Sequence, residues 1–140
     1  MFEMRNPHTF LPVGVYRAGM SRELSQLRER YASFVAERDW EQFHTPQNIA
    51  MALSVEANEL LECFLWHDNL DPGKVAEDDD LMADIEEEVA DIFIYLLAIA
   101  IRLDIDLLDV VEQKLEANKE RFDEDRSTEI IQELERWQRD

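Results

Sequence analysis

The stretch that decides the fold of this chain is Asp80–Arg102, D-L-M-A-D-I-E-E-E-V-A-D-I-F-I-Y-L-L-A-I-A-I-R. Its apolar residues recur at three- and four-residue spacing and cover much of the circumference of a helix. The pattern predicts one long helix, the most buried of the chain. Its longest purely apolar run, Ile92–Ile101, has 10 residues and is too short to span a bilayer.

Three further helices are predicted around this one from apolar stripes and capping residues. A Ser, Thr or Asp at the start can accept hydrogen bonds from the first free backbone N–H groups, and proline suits the first helical position. The three are a first helix from Ser21 to the residue before Glu37, a second from Thr45-Pro46 to about His67, and a fourth, capped by Asp106, from Leu107 to about Phe122. The segments between the first three helices, 37–44 and 68–80, are predicted to be loops.

The two ends of the chain differ from this helical middle. Residues 1–20 contain both prolines and glycines and show no helical period, which predicts an irregular arm. Residues 123–140 carry apolar side chains at helical spacing, which predicts a short C-terminal helix. We therefore predict an all-α protein: a helical bundle of four main helices forming one domain over 21–122, with an arm and a tail.

The charge of the chain limits the classes of partner. Its 33 acidic and 14 basic residues give a formal net charge of −19, a surface that repels the phosphate backbone of nucleic acids. A small anionic substrate remains compatible if a divalent cation inverts the local field. The single Cys63 gives no disulfide framework, and no signal peptide is recognisable, so we expect a cytoplasmic protein that binds neither nucleic acid nor membrane.

Two pairs of carboxylates stand out within the predicted second and third helices. Glu56 with Glu59, and Glu88 with Asp91, are each three residues apart, so each pair lies on one side of its helix. Tyr95 falls beside Glu88, on a strip that borders the core. Acids clustered there are costly to desolvate unless a hard cation neutralises them, and oxygen ligands suit Mg²⁺, with Mn²⁺ as a substitute. The alternative is a solvated face, because paired acids also occur by chance in so acidic a chain.

Helix four offers complementary groups. Lys114, Asn118 and Arg121 form a single polar stripe of two cations and one amide. Such a stripe could hold a triphosphate opposite a carboxylate–metal cluster. The alternative is an ordinary exposed helix face.

The loop before the second helix is rich in side chains suited to a planar base. Trp40, Phe43 and His44 offer stacking surface, and Trp66 at the end of that helix could form a further wall. The amides that could read the polar edge of a base belong to Gln42 and Asn48. Aromatic residues at helical spacing usually belong to a core, but these lie in a polar, charged segment.

Taken in order, these motifs resemble the all-α nucleoside triphosphate pyrophosphohydrolases of the MazG-like superfamily, most closely the dCTP pyrophosphatase branch. The resemblance covers about residues 21–122. The strings that carry it are E-R-D-W-E-Q-F-H-x-P-x-N from Glu37 to Asn48, E-x-x-E (Glu56, Glu59), E-x-x-D with its following tyrosine (Glu88, Asp91, Tyr95) and K-x-x-x-N (Lys114, Asn118). The arm and the tail fall outside it.

The resemblance implies hydrolysis of (deoxy)nucleoside triphosphates to the monophosphate and pyrophosphate, preferentially of dCTP or a related pyrimidine nucleotide, for nucleotide-pool house-cleaning. It implies that the protein is a homodimer or homotetramer. The implied metal ligands are Glu56, Glu59, Glu88 and Asp91. A carboxylate not fully used in ligation, Glu56 or Glu59, could act as the general base. The implied substrate contacts are Trp40, His44, Trp66, Tyr95, Lys114 and Asn118, to which the polar stripe adds Arg121. Tyr31 departs from the branch, where a histidine near the base is expected.

Two other functions compete with this interpretation. A di-iron bundle protein would need two Glu-x-x-His pairs on helices, whereas only Glu41 and His44 have that spacing, and they lie in a loop. A non-catalytic acidic helical interaction module would explain the acids as a solvated face. Release of pyrophosphate in the presence of Mg²⁺ distinguishes the enzyme from the module.

Overall fold

A computed structural model describes residues 13–68 and 70–138, with 13–20 described by their backbone alone. The described residues form helices and contain no strand, which confirms the all-α prediction. The elements are α1 (Val13–Ala36), a 3₁₀ turn (Trp40–Phe43), α2 (Pro46–Glu62), α3 (Pro72–Ala76), α4 (Asp79–Leu103), α5 (Leu107–Arg121) and α6 (Glu124–Trp137). Within this part of the chain, no helix is long and apolar enough to cross a membrane.

Five of the α-helices begin at a side chain that accepts a backbone hydrogen bond. The Thr45 hydroxyl accepts from the backbone N–H of Asn48 at 3.1 Å, with Pro46 at the first helical position, as predicted. Aspartates do the same for the later helices, because a short carboxylate reaches the free N–H groups of the first turn and suits the helix dipole. They are Asp71 for α3, Asp78 for α4, Asp106 for α5 and Asp123 for α6.

The core is built on α4. Of the buried apolar residues, α4 supplies Leu81, Leu97, Ala98 and Ala100, while α1 adds Val35 and α2 adds Ile49. Helix α2 packs along α4 most extensively, and α1 and α3 also contact it. The prediction that this helix is the most buried is therefore confirmed. The chain divides into a unit that ends at Asp104 and a second unit, from Ile105, that contains α5 and α6.

The predicted start of the first helix is wrong. Helix α1 begins at Val13 rather than Ser21, so residues 13–20 are helical and not part of an irregular arm. Gly14 and Gly19 lie inside this helix; each costs about 1 kcal/mol relative to alanine, which weakens a helix but does not end it. The rest of the predicted arm, residues 1–12, lies outside the described residues.

The predicted end of the second helix is also wrong. Helix α2 ends at Glu62 rather than near His67, because the backbone tightens there. The N–H of Phe64 bonds to the carbonyl of Leu61 at 3.1 Å, a spacing of three residues that replaces the α-helical spacing of four.

The connecting segment 68–80 contains α3, which was not predicted. The carboxylate of Asp71 accepts from the backbone N–H groups of Gly73 and Lys74, and Pro72 takes the first helical position. These are the same signals that begin α2, but Asp-Pro-Gly is equally typical of a turn.

Two further aspartates have a left-handed backbone beyond the ends of α1 and α4. Asp39 follows α1 with φ 54°, and Asp104 follows α4 with φ 52°, both in the left-handed region that aspartate tolerates better than most residues. The predicted C-terminal helix is present as α6, and residues 139–140 of the tail lie outside the described residues.

Candidate functional site

The paired acids of α2 and α4 meet where the two helices pack. Glu56, Glu59 and Glu88 each offer a carboxylate oxygen, and these oxygens lie within 4.8 Å of one another. Asp91, one turn beyond Glu88, is close enough that its charge raises the pKa values of both Glu56 and Glu88. The i, i+3 spacing on two neighbouring helices has thus brought three of the four predicted carboxylates within 4.8 Å of one another, with Asp91 one turn further along α4.

The cluster is electrostatically unfavourable as it stands. Burial, followed by the charges of Glu59 and Asp91, raises the pKa of the Glu56 carboxyl. The pKa of Glu88 is raised in the same way, by burial and then by Glu59 and Asp91. One oxygen of Glu88, Oε2, is buried and has no hydrogen-bond partner among the described residues. A buried carboxylate oxygen without a donor is costly, so the cluster is suited to a bound positive charge.

The type of ligand atom in the cluster decides which cation fits. Carboxylate oxygens are hard ligands that suit Mg²⁺ or Mn²⁺, whereas zinc sites draw on sulfur and nitrogen as well. The orphaned oxygen of Glu88 and the close approach of three carboxylates both fit such an ion.

An acidic cleft of about 290 Å³ adjoins the cluster. It is lined by Glu59, Glu62, Cys63, Asp84, Glu87 and Glu88. The Cys63 thiol donates a weak hydrogen bond to the backbone carbonyl of Glu59 at 3.5 Å. Burial, together with the charges of Glu88 and Asp84, raises the pKa of this thiol, so it is poorly nucleophilic at neutral pH.

A second pocket, of about 170 Å³, lies between the 3₁₀ turn, α2 and α4. It is lined by Phe43, His44, Asn48, Ile49, Ala52 and Tyr95. Tyr95 connects this pocket to the carboxylates, because it lies one helical turn after Asp91 on α4. The pKa of its hydroxyl is raised by burial and then by the charges of Glu56 and Asp91. The structure therefore places a small, partly apolar pocket beside the acidic cluster.

The ring of His44 is fixed at both nitrogens. Its Nδ1 lies 2.7 Å from the backbone carbonyl oxygen of Trp40, which can only accept, so Nδ1 carries the proton and donates. In the neutral imidazole Nε2 then accepts, and the Tyr31 hydroxyl donates to it at 3.2 Å. Since both ring nitrogens are used within the protein, His44 offers the pocket the carbon surface of its ring.

The predicted aromatic residues are placed differently from one another. His44 and Tyr95 line the pocket. Trp40 packs edge-on against Phe34, with ring centroids 5.7 Å apart, and keeps 44% of its surface exposed. Trp66 is 90% exposed at the turn that follows α2.

The predicted amides already have partners. The side-chain N–H of Asn48 donates to the carbonyl of Phe43 at 3.0 Å, and that of Gln42 donates to the carbonyl of Asp39 at 3.1 Å. Their amide oxygens remain the acceptors that could face a base.

The polar stripe of α5 belongs to the second unit. Lys114 and Arg121 are exposed and Asn118 is half-buried. The Arg121 guanidinium lies 5.0 Å from the centroid of the Phe122 ring. Contact of these residues with a triphosphate stays a prediction.

Several residues of this region were not predicted from the sequence. Arg102, in the last turn of α4, donates from Nε to the carbonyl of His44 at 2.8 Å and from an Nη to the carbonyl of Glu41 at 3.0 Å. From the sequence alone, Arg102 is a cation near a helix C-terminus, a position that the helix dipole is enough to explain. Phe43, Asn48, Ile49 and Ala52 were likewise not assigned to the site, although the first two were noted as suitable for binding a base.

The chain is similar to known proteins over most of its length. The sequence model of the MazG-like family matches residues 51–136. The chain is 40% identical over 107 residues to dCTP pyrophosphatase 1 of Mus musculus, covering 76% of this chain and 63% of that protein. It is 41% identical over 99 residues to dCTP pyrophosphatase 1 of Homo sapiens, covering 71% of this chain and 58% of that protein.

A solved structure extends the comparison. The crystal structure of a pyrophosphatase from Archaeoglobus fulgidus superposes with a TM-score of 0.66 and 33% sequence identity, covering 73% of this chain and 94% of that one. The likeness thus spans nearly the whole of that structure, whereas the chain spans about three fifths of the length of the two mammalian proteins. The family match includes both paired-acid motifs on α2 and α4, and the chain belongs to the MazG-like family.

Proposed function

We propose that this protein is a Mg²⁺-dependent pyrophosphohydrolase that converts a (deoxy)nucleoside triphosphate, preferentially dCTP or a related pyrimidine nucleotide, to the monophosphate and pyrophosphate. The observation that carries the proposal is the cluster of Glu56, Glu59 and Glu88, with oxygens within 4.8 Å of one another. The pocket of about 170 Å³ that Tyr95 lines lies beside this cluster. Similarity to proteins named dCTP pyrophosphatase 1 supports the substrate class.

The carboxylates would hold the cation and activate water. Glu56, Glu59, Glu88 and Asp91 are the proposed ligands. A divalent cation bound to them would supply positive charge for the triphosphate oxygens and lower the pKa of water. Glu56 or Glu59 would accept the proton as the water oxygen forms its bond to phosphorus and the bond to the leaving phosphate oxygen breaks.

The remaining predicted residues would hold the nucleotide. His44 and Tyr95 would pack against the base and sugar, with Trp40 and Trp66 as outer stacking surfaces. Lys114, Asn118 and Arg121 would contact the phosphates. A pocket of about 170 Å³ is smaller than the usual range for whole ligands, so it would take the base rather than the complete nucleotide.

The experiment that tests this function is a nucleotide panel with separate assays for pyrophosphate and for single phosphate. We expect pyrophosphate release with Mg²⁺ or Mn²⁺, none with EDTA, and the highest kcat/KM for dCTP among dCTP, dUTP, dTTP, dATP and CTP. Equal values across the panel would indicate a general house-cleaning triphosphatase. Absence of turnover would favour the non-catalytic acidic interaction module.

We also propose that the protein acts in the cytoplasm as a homodimer or homotetramer. Large apolar side chains remain exposed on α1 and α4: Leu27, Phe34, Val89 and Phe93 are 41–50% exposed. Leu27 and Phe34 also line an apolar groove of about 360 Å³ between those helices. Burial of such surface is a main source of stability in homo-oligomers. Sedimentation equilibrium that shows only a 16.5 kDa species at micromolar concentration would contradict this.

A further inference from the structure

The 3₁₀ turn Trp40–Phe43 and the His44 that follows it are held in place by side chains. A short turn cannot satisfy its own carbonyls in the way that a long helix does. In this turn and its flanks, the carbonyls of Asp39, Trp40, Glu41, Phe43 and His44 each accept a hydrogen bond from a side chain. Gln42 donates to the carbonyl of Asp39, His44 to that of Trp40, and Asn48 to that of Phe43. Arg102 donates to the carbonyls of both Glu41 and His44.

Among these donors, Arg102 alone comes from a distant part of the chain. The others lie within five residues of the carbonyl that they bind. Arg102 lies 58 residues from His44 and 61 from Glu41. Its planar guanidinium presents several N–H groups in a fixed fork, so one side chain can hold two carbonyls at once. The turn is thereby attached to the last turn of α4.

This attachment also fixes a distance across the proposed site. Tyr95 and Asp91 precede Arg102 on the same helix by seven and eleven residues, or roughly 10 and 16 Å at 1.5 Å per residue. A single helix therefore carries a proposed metal ligand, one wall of the pocket and the group that holds a second wall. That second wall is formed by Phe43 and His44, at the end of the turn.

We propose that Arg102 is a positioning residue for recognition of the nucleotide base. By holding the turn on α4, it sets the width of the pocket between His44 and Tyr95, and so governs how tightly and how selectively a base binds. Tyr31 completes the arrangement, because its bond to Nε2 fixes the ring of His44. The proposal rests on the proposed function and adds a determinant of specificity to it.

The alternative is that Arg102 supports only the stability of the fold. The two roles differ in kinetics. A loosened pocket weakens binding and base discrimination but leaves the carboxylates on α2 and α4 in place, so kcat at saturation and the requirement for Mg²⁺ change little. A residue that only stabilises the fold would lower the unfolding midpoint and leave KM as in the wild type.

The test compares Arg102→Ala and Arg102→Lys with a matched control, Arg136→Ala. Arg136 is an exposed arginine whose Nε donates to the carbonyl of Gln132 within its own helix, at 3.2 Å. For Arg102→Ala we expect KM for dCTP to rise about tenfold or more, kcat to change by less than about threefold, and the preference for dCTP over dTTP to narrow. Arg102→Lys should restore part of the loss, since an ammonium can hold one carbonyl, and Arg136→Ala should behave as the wild type.

A second measurement observes the turn directly. With Trp66 and Trp137 replaced by phenylalanine, Trp40 is the remaining tryptophan, and Arg102→Ala in that background should lower its fluorescence anisotropy without nucleotide or metal. Unchanged anisotropy, or wild-type KM and base preference in Arg102→Ala, would overturn the role of Arg102. A wild-type protein that hydrolyses no nucleotide would overturn the proposed function itself, and with it the role in base recognition.

Discussion

Two adjoining regions of the first unit differ in whether their polar groups have hydrogen-bond partners. In the carboxylate cluster, like charges lie within 4.8 Å of one another, and Glu88 Oε2 is buried without a hydrogen-bond partner. In the 3₁₀ turn and its two flanking residues, five backbone carbonyls accept hydrogen bonds from side chains, and both nitrogens of His44 are bonded. The first region leaves a buried carboxylate oxygen without a partner, whereas the second satisfies its carbonyls within the protein.

The difference shows what holds each region together. The carboxylates are brought together by the packing of α2 on α4, against their mutual repulsion. The turn is held by its own hydrogen bonds. Removing a carboxylate should therefore stabilise the metal-free protein, whereas removing a side chain from the turn should destabilise it by leaving a carbonyl without its donor.

The largest effect is expected from Glu59→Gln. Loss of a proposed ligand and general base should lower turnover by roughly 10²- to 10⁴-fold, while the metal-free protein unfolds at a higher urea concentration because repulsion is relieved. Glu86→Gln, at an exposed acid on α4 outside the cluster, is the control and should change neither property. Wild-type activity in Glu59→Gln would remove Glu59 from the site, and a less stable metal-free variant would indicate a structural role.

The pH dependence of stability should reveal the same repulsion in protein kept free of metal with EDTA. The pKa values of Glu56 and Glu88 are raised above their ordinary 4.5, so between 4.5 and the raised values the folded state binds more protons than the unfolded state. The contribution of these two groups to the free energy of unfolding therefore decreases as pH rises through that window. Urea midpoints for the wild type and Glu56→Gln isolate the effect, because the variant should show a shallower decline.

Added Mg²⁺ should reverse this loss at neutral pH. A cation bound by the folded state alone stabilises it, and the gain should be smaller in Glu56→Gln. Equal pH slopes in the two proteins would contradict the assignment of the repulsion to Glu56.

The sequence predicted those parts of the molecule that depend on short spacings. The acid pairs are i, i+3 on single helices, and the caps at Thr45 and Asp106 act within three residues, so a periodic pattern is enough to find them. The start of α1 was misjudged because Gly14 and Gly19 weaken a helix without ending it. Arg102 was missed because its partners lie 58 and 61 residues away, and no local pattern encodes such a contact.

The smallest effect concerns a single hydrogen bond of the turn. Asn48→Ala removes the donor to the Phe43 carbonyl and should lower the free energy of unfolding by about 1 kcal/mol. Asn58→Ala is the matched control on the same helix, because the Asn58 amide bonds to Ser54 within α2 and alanine is the better helix former. It should leave stability unchanged or raise it slightly. Equal urea midpoints for the two variants would show that the turn does not depend on Asn48.

The acidic cleft also affects how an anionic substrate reaches the proposed site. Glu62, Asp84 and Glu87 line it beside Glu59 and Glu88, on a protein of formal net charge −19. A free triphosphate diffusing towards this cleft is repelled, so its rate of encounter should rise as added salt screens the field, opposite to the behaviour of a basic site. A triphosphate that already carries a magnesium ion is repelled less. Diffusion to this surface would therefore select the metal complex of a nucleotide over the free anion before any contact is made.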